Sequence, residues 1–411
     1  MFVLRLDGDG NFLSLTQYGL PDSDEEAGGY LRRAAGGGYG LAGNTRGQNR
    51  RCDFYLARLD EEGALLWERT YGVAVNSEDF GGFAATQDGG FVLAGDGHWG
   101  AWPMAIRVDA NGEPLWDREY QFTSYGMAKA IVQTADGGFA MTGFASTDNA
   151  SVQVFFAKLD SAGYLSNLHF FGANRSEEGR DIVQSNDGGF LIVGRTNSYS
   201  ENAWDMIVLR LNENGDSLWA RVFPCGFLNV GHHCRELSDG SFIVQSICLY
   251  LGSWYLSLTR LNSNSQTIWQ GLYPVGAEFY HAGLDIDLSN RYLMCAERLW
   301  DRALIILTQS DTTLSFAGTP MVPGAYDMTL SVFPNPFNST VTIRFELPEM
   351  MHVKLELFNL LGQKVATLVD QPSPAGLSSF QWDARSAASG VYVYRLVAGT
   401  HIESHKLLLL R

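Results

Sequence analysis

Three cationic side chains recur at one spacing. Lys129, Arg180 and His232 each stand ten residues before an aromatic, Phe139, Phe190 and Phe242, in phrases that read TADGGF, SNDGGF and LSDGSF. Related phrases elsewhere carry Gly29, Gly81 and Ala282 at that place. If the segments holding this position share one axis, cations from separate units meet there, forming a basic patch in a chain of net charge −16. Such a patch suits an anionic ligand, and ordinary solvated side chains are the alternative. Asp181, Glu236 and Asp285 fall in the same neighbourhood. Two carboxylates can cleave a glycoside only at a defined separation, which spacing along the chain does not supply.

A second set is aromatic. Trp204, Trp254 and Trp300 stand seven residues before Leu211, Leu261 and Leu307, and Trp99 and Trp102 occupy the matching stretch of an earlier unit. Indoles gathered on one rim offer flat apolar area with one polar N–H, a good platform for sugar faces, whereas packing over the local core would also repeat in register. His232, His233 and Cys234, joined by Cys225, are the densest group of metal-ligand types. Adjacent histidines on a strand point to opposite faces, so they share one ion only across a bulge. Asp7, Asp9 and Asn11 open a calcium-type loop, but its sixth and twelfth places hold Phe12 and Tyr18 instead of glycine and glutamate, which leaves a β-turn. No metal and no cofactor is assigned. No catalytic Ser-His-Asp order, P-loop or H-E-x-x-H is present.

The elements that position these residues follow from the repeat. The aromatics Tyr39, Phe91, Phe139, Phe190, Phe242 and Tyr292 are separated by 52, 48, 51, 52 and 50 residues. A second phrase runs in phase, with landmarks Leu59, Asp60, Gly63, Trp67 and Tyr71 in one unit and Val108, Asp109, Gly112, Trp116 and Tyr120 in the next. Asp-Gly and Gly-Gly between short apolar runs close hairpins, because glycine reaches positive φ without steric cost. Each unit therefore holds two hairpins and four strands, which is a β-propeller blade. The first strand of a blade lines the central channel, placing Lys129, Arg180 and His232 near the axis. Trp67, Trp116, Trp219 and Trp269 fall on outer strands as packing between blades.

There are six such inner hairpins but seven outer ones, the first being FVLRLDGDGNFLSLTQYG. The expectation is six complete blades plus a half blade over residues 1–317, from a parent of seven or more whose upstream part holds a signal peptide. A Gly- and Pro-bearing linker covers 318–328. Residues 329–411 alternate apolar and polar residues in TVTIRFEL and HVKLELFN, giving about seven short strands of an antiparallel sandwich.

Five ordered motifs carry a resemblance in this last segment: FPNPFN with Pro334, Asn335 and Pro336; NLLGQKVATLVD; Trp382-Asp383; SGVYVYRL with Gly390; and a terminal HKLLLLR with Lys406 and Arg411. Together they resemble the C-terminal sorting domain of type IX secretion substrates. The resemblance implies an immunoglobulin-like sandwich read by the type IX translocon and a destination in the medium or on the outer surface of a Gram-negative bacterium. The DGGF units are similar to propeller cargo found ahead of such domains.

Composition narrows the rest. The acidic balance argues against nucleic acid, which wants basic surface, and no stretch approaches the ~18 unbroken apolar residues of a membrane helix. Five cysteines leave Cys225 and Cys234 as the pair worth testing. The reading is a secreted or surface propeller that binds a glycan or surface protein without catalysis. An extracellular glycosidase or lyase acting at the channel mouth, and a purely structural surface component, are the alternatives.

Overall fold

In a computed structural model, residues 1–307 and 331–409 are described, less 8–10, 21–24, 47–51, 73–77, 98–100, 147–150, 174, 200–203, 225–227, 251–252, 276–278, 287–291, 299–301, 334–336, 348–350, 360–362, 374–375, 386 and 399–400. Among the described residues every regular element is a β-strand, and the chain divides into two compact units, Met1–Pro320 and Met321–Arg411.

The first unit is a β-propeller. Its first blade is built from Glu25–Arg33, Tyr39–Arg46, Cys52–Leu59 and Leu65–Tyr71, paired antiparallel in that order from the inside outwards. The second (Phe80–Ala85, Phe91–Gly97, Trp102–Val108, Pro114–Glu119) and third (Tyr125–Gln133, Phe139–Ser146, Gln153–Leu159, Leu165–Phe171) follow the same order. So do the fourth (Glu177–Gln184, Phe190–Thr196, Asp205–Leu211, Ser217–Phe223) and fifth (Leu228–Glu236, Phe242–Tyr250, Ser253–Leu261, Thr267–Pro274). The sixth shows Phe279–Ile286, Tyr292–Arg298 and Arg302–Leu307, and the place of its fourth strand, 308–317, lies outside the described residues. Ahead of them, Phe2–Leu6 pairs with Phe12–Gln17 as a separate two-stranded ribbon, the expected outer hairpin.

The recurring phrase is a structural device. In the second blade Gly89 closes the Thr86–Gly90 turn at φ +88°, and a Cβ on Gly90 would stand 2.2 Å from the Val108 carbonyl oxygen. The Asp88 carboxylate is clasped from the third strand by Arg107, at 2.5 and 2.6 Å. Asp187 with Arg210, Asp136 with Lys158 and Asp239 with Arg260 repeat that clasp. Phe91, Phe139, Phe190, Phe242 and Tyr292 are all buried, so the phrase locks each turn and seeds each blade's core.

Outer-strand tryptophans couple neighbours. Trp67, Trp116 and Trp219 donate Nε1–H to the carbonyls of Ala110, Ser161 and Ser263 in the following blade, at 3.2, 3.1 and 2.9 Å. Trp116 also meets Phe139 edge-on at 5.5 Å. In the third blade the place is held by Asn167, whose side-chain amide donates to the Asn214 carbonyl, so the contact survives without the indole.

The second unit is a two-sheet sandwich. Ser331–Phe333, Thr340–Leu347 and Gly376–Asp383 form one sheet. Met351–Asn359, Lys364–Ser373, Gly390–Ala398 and His401–Leu409 form the other. One core joins them, with Val341, Ile343 and Phe345 from the first sheet meeting Leu355, Leu357, Leu396, Leu407 and Leu409 from the second.

Candidate functional site

Inner strands of five blades enclose a cavity of about 260 Å³, with Arg32, Lys129, Arg180 and Arg235 on its wall beside Tyr30, Asp181 and His233. The bulges of the inner strands explain part of this arrangement. Pairing in the third blade jumps from Ala128–Gly143 to Ala130–Thr142, leaving Lys129 unopposed. The same jump isolates Arg180 in the fourth blade and His232 in the fifth. A bulge re-aims the extra residue. The long side chains of Lys129 and Arg180 reach the cavity, whereas the shorter imidazole of His232 is not part of its wall and the buried His233 is.

Asp181 organises one side of the wall. Its Oδ2 accepts the Cys234 amide N–H at 3.0 Å and Nη1 of Arg235 at 3.1 Å, with His233 Nδ1 at 3.3 Å. Burial alone would push this carboxyl up, but the His233 contact and the charges of Arg235 and Arg32 hold it well below the usual carboxylate range. Glu178 does the same for Arg180: Arg180 Nε lies 3.3 Å from one carboxylate oxygen while Arg195 donates to the other at 2.6 and 2.7 Å. Burial opposes its ionisation, and the charges of Arg180, Arg195 and Lys129 overcome it.

Arg32 and Lys129 have no such partner. Among the described residues, neither has a carboxylate within 4.0 Å. Burial pulls both below their ordinary values, as it does Arg180. Arg32 donates Nη1–H to the Leu31 carbonyl at 3.1 Å, and Lys129 Nζ stands 5.8 Å from the Phe144 ring centroid. The Nε of Arg180 is buried and makes no hydrogen bond.

The other candidates are dispersed. Trp204 is half-buried with the Arg195 guanidinium 4.2 Å from its ring centroid, and Trp254 packs against the core of the fifth and sixth blades. Trp102 is half-buried and pairs with Gly97, while Trp99 and Trp300 lie outside the described residues. Glu236 is committed to a turn, accepting the Asn186 amide at 2.8 Å, and is not part of the cavity wall. Asp7 accepts the Asn11 amide at 2.8 Å in its turn, and Asp9 lies outside the described residues. Cys234 is a buried free thiol, which overturns a Cys225–Cys234 pair: it sits inside the blade, its Sγ 3.7 Å from the Leu191 carbonyl, while Cys248 is disulfide-bonded. Among the described residues, no three His, Cys, Asp or Glu side chains gather closely enough to hold a metal ion.

Arg32 and Arg235 went unnoticed in the sequence, yet a signal was there. Arg32 stands seven residues before Tyr39 and Arg235 seven before Phe242, and Ala84, Val132 and Val183 at the same place in their units also line the cavity. Seven before the aromatic is a second inward position.

In the sandwich, Gly390 opens its strand at φ +154° opposite Leu409, and Lys406 pairs with Val393. Pro334, Asn335, Pro336 and Arg411 lie outside the described residues.

Residues 331–410 match the secretion system C-terminal sorting domain. The chain is therefore an exported protein of the type IX pathway, destined for the outer surface or the medium, and among the described residues no helix is long and apolar enough to cross a membrane. No curated protein is similar to it by sequence. Among solved structures it is similar to a puromycin hydrolase (13% identity, 79% of this chain and 59% of that one, TM-score 0.39). An exo-β-1,3-galactanase from Phanerochaete chrysosporium with galactose is also similar (10%, 99% and 99%, 0.35). A third is a subtype N10 neuraminidase-like protein of A/little yellow-shouldered bat/Guatemala (9%, 69% and 95%, 0.37). The chain thus spans 59% of the hydrolase, and likenesses at these scores carry nothing about activity.

Proposed function

We propose that the chain is an exported, non-enzymatic binding module whose propeller holds an anionic ligand in the central cavity, outside the cell. One observation carries this reading: Arg32 and Lys129 are drawn out of water on the cavity wall and, among the described residues, have no carboxylate within 4.0 Å. A desolvated charge with no ion-pair partner in contact costs free energy, and a bound anion supplies that contact. The two acids beside them are already used, Asp181 by His233, Arg235 and the amides of Ile182 and Cys234 and Glu178 by two arginines, and both are held ionised, so neither serves as the proton donor that glycoside cleavage needs. Trp204 and Trp254, packed within the blades, support structural roles better than a sugar platform.

On this reading the sandwich is the immunoglobulin-like domain that the translocon recognises, with Pro334, Asn335, Pro336, Gly390, Lys406 and Arg411 as the signal. Screening the full chain against acidic and neutral glycans and peptides at two salt concentrations tests the binding role. Acidic ligands alone should bind, more weakly at high salt, and be recovered unchanged. Retention of neutral ligands only would sink it.

A glycosidase or lyase is favoured by one feature, Asp96, whose carboxyl burial pushes up to about 7 beside Asp79 and Glu78. Release of reducing ends from any acidic polysaccharide, abolished in Asp96→Asn, would establish that reading instead.

A further inference from the structure

The wall of the cavity is patterned. Of its four cations, Arg235 is matched by Asp181 and Arg180 by Glu178, which leaves Arg32 on the first blade and Lys129 on the third. Between those two strands the second blade contributes only Gly82, Phe83 and Ala84 to the wall, and the third continues with Ala130, Ile131 and Val132. No charged residue of the second blade is part of the wall. A Cβ on Gly81 would stand 1.9 Å from the Ala128 carbonyl oxygen, so the second and third strands approach too closely for a side chain at that bulge. The sequence along the wall is thus cation, apolar surface, cation.

We infer that the ligand is a small organic dianion of the dicarboxylate class, one carboxylate taken by Arg32 and the other by Lys129, with its short hydrocarbon spacer along Phe83, Ala84 and Ala130. The inference rests on the anion-binding reading above and narrows it. Phe83, whose ring centroid lies 5.9 Å from the Arg32 guanidinium, gives the wall between the two cations an apolar surface, and two acidic groups on a short spacer meet one cation each across it. A cavity of about 260 Å³ accommodates a molecule of that size and excludes a polymer from its interior. The planar guanidinium of Arg32 suits two-point capture of a carboxylate, and the ammonium of Lys129 acts as a point charge for the second. Tyr30 lies between Arg32 and Arg180 electrostatically; burial pushes its hydroxyl up, so it stays a hydrogen-bond donor to an incoming oxygen.

Isothermal titration of the full chain with succinate and glutarate tests this, against butyrate, inorganic sulfate and glucose at one ionic strength and pH 7. A dicarboxylate should bind about tenfold or more tightly than butyrate or sulfate, because each lost charge-assisted contact is worth at least that factor. Arg32→Met and Lys129→Met should each reduce dicarboxylate affinity to the wild-type butyrate level with the folded spectrum intact. Butyrate or sulfate binding as well as succinate, or variants that leave succinate unaffected, overturns the assignment. If sulfate binds, depends on both cations and outcompetes every dicarboxylate, the dicarboxylate class falls while the anion-binding reading stands. If no anion responds to either variant, both fall.

Discussion

Replacing Asp181 by asparagine separates the electrostatic account of the cavity from one in which its charges are ornamental. The carboxylate has Cys234 N–H, Arg235 and His233 within 3.3 Å, and the charge of Arg32 helps to hold it ionised. Removing one member of a buried pair costs about 3–5 kcal/mol, and asparagine keeps an oxygen able to accept the amide, so a loss of about 3 kcal/mol near pH 7 is expected. The pH dependence has a definite sign. A carboxyl held below its unfolded value contributes stability that is present above about pH 3.9 and lost as pH falls towards the folded value. The difference between wild type and variant should therefore be level from pH 8 to 5 and shrink below pH 4. Urea denaturation across that range measures it. The same substitution removes a negative charge from the wall, and at an effective dielectric of 20 and a separation of about 8 Å this is worth ~2 kcal/mol, or about thirtyfold tighter anion binding. A variant less than 1 kcal/mol weaker, or one whose deficit persists unchanged at pH 3, would refute the reasoning.

Trp116→Ala should cost about 3 kcal/mol in urea denaturation, since it forfeits the Ser161 hydrogen bond and the Phe139 contact, while Asn167→Ala in the equivalent place costs about 1 kcal/mol; equal losses would mean the indole is not the coupling element. Ser265, the one described non-glycine residue at positive φ (+67°), fills the turn place that glycine holds at Gly63, Gly112, Gly163 and Gly215, so Ser265→Gly should stabilise by about 1 kcal/mol, and a lowered melting temperature would contradict this. Because the folded value of Asp96 is raised, its ionisation penalty grows from about pH 4 to 7 and is full above that; Asp96→Asn should stabilise the chain at pH 8, by at most ~4 kcal/mol, and hardly at pH 4, and a stabilisation independent of pH would argue against it. Deleting HKLLLLR removes the C-terminal part of the last strand, with Leu407 and Leu409 of the sandwich core, so the truncated cargo should remain in the periplasm, and normal surface display would disprove the export role.

The propeller was legible because each DGGF phrase solves a local problem at a fixed place: a glycine at positive φ, an aspartate clasped from the third strand and an aromatic with nowhere to go but the core. Lys129 and Arg180 were legible because their bulges fall at one spacing from that aromatic. Arg32 was hidden because it stands at the other inward position, seven residues before the aromatic, where Ala84, Val132 and Val183 carry no charge and so give the spacing no chemical signal. Asp181 was visible as an acid but not as a partner, since its donors come from a strand more than fifty residues away. Tryptophans repeating in register did not distinguish rim from core, because packing and display impose the same period.

Crystals of the full chain soaked in sodium bromide provide the most direct test of an anion-accepting cavity. Anomalous peaks are expected inside the propeller against Arg32 and against Lys129, absent in the matching methionine variants. Bromide bound at surface lysines and arginines, with none in the cavity, would contradict it.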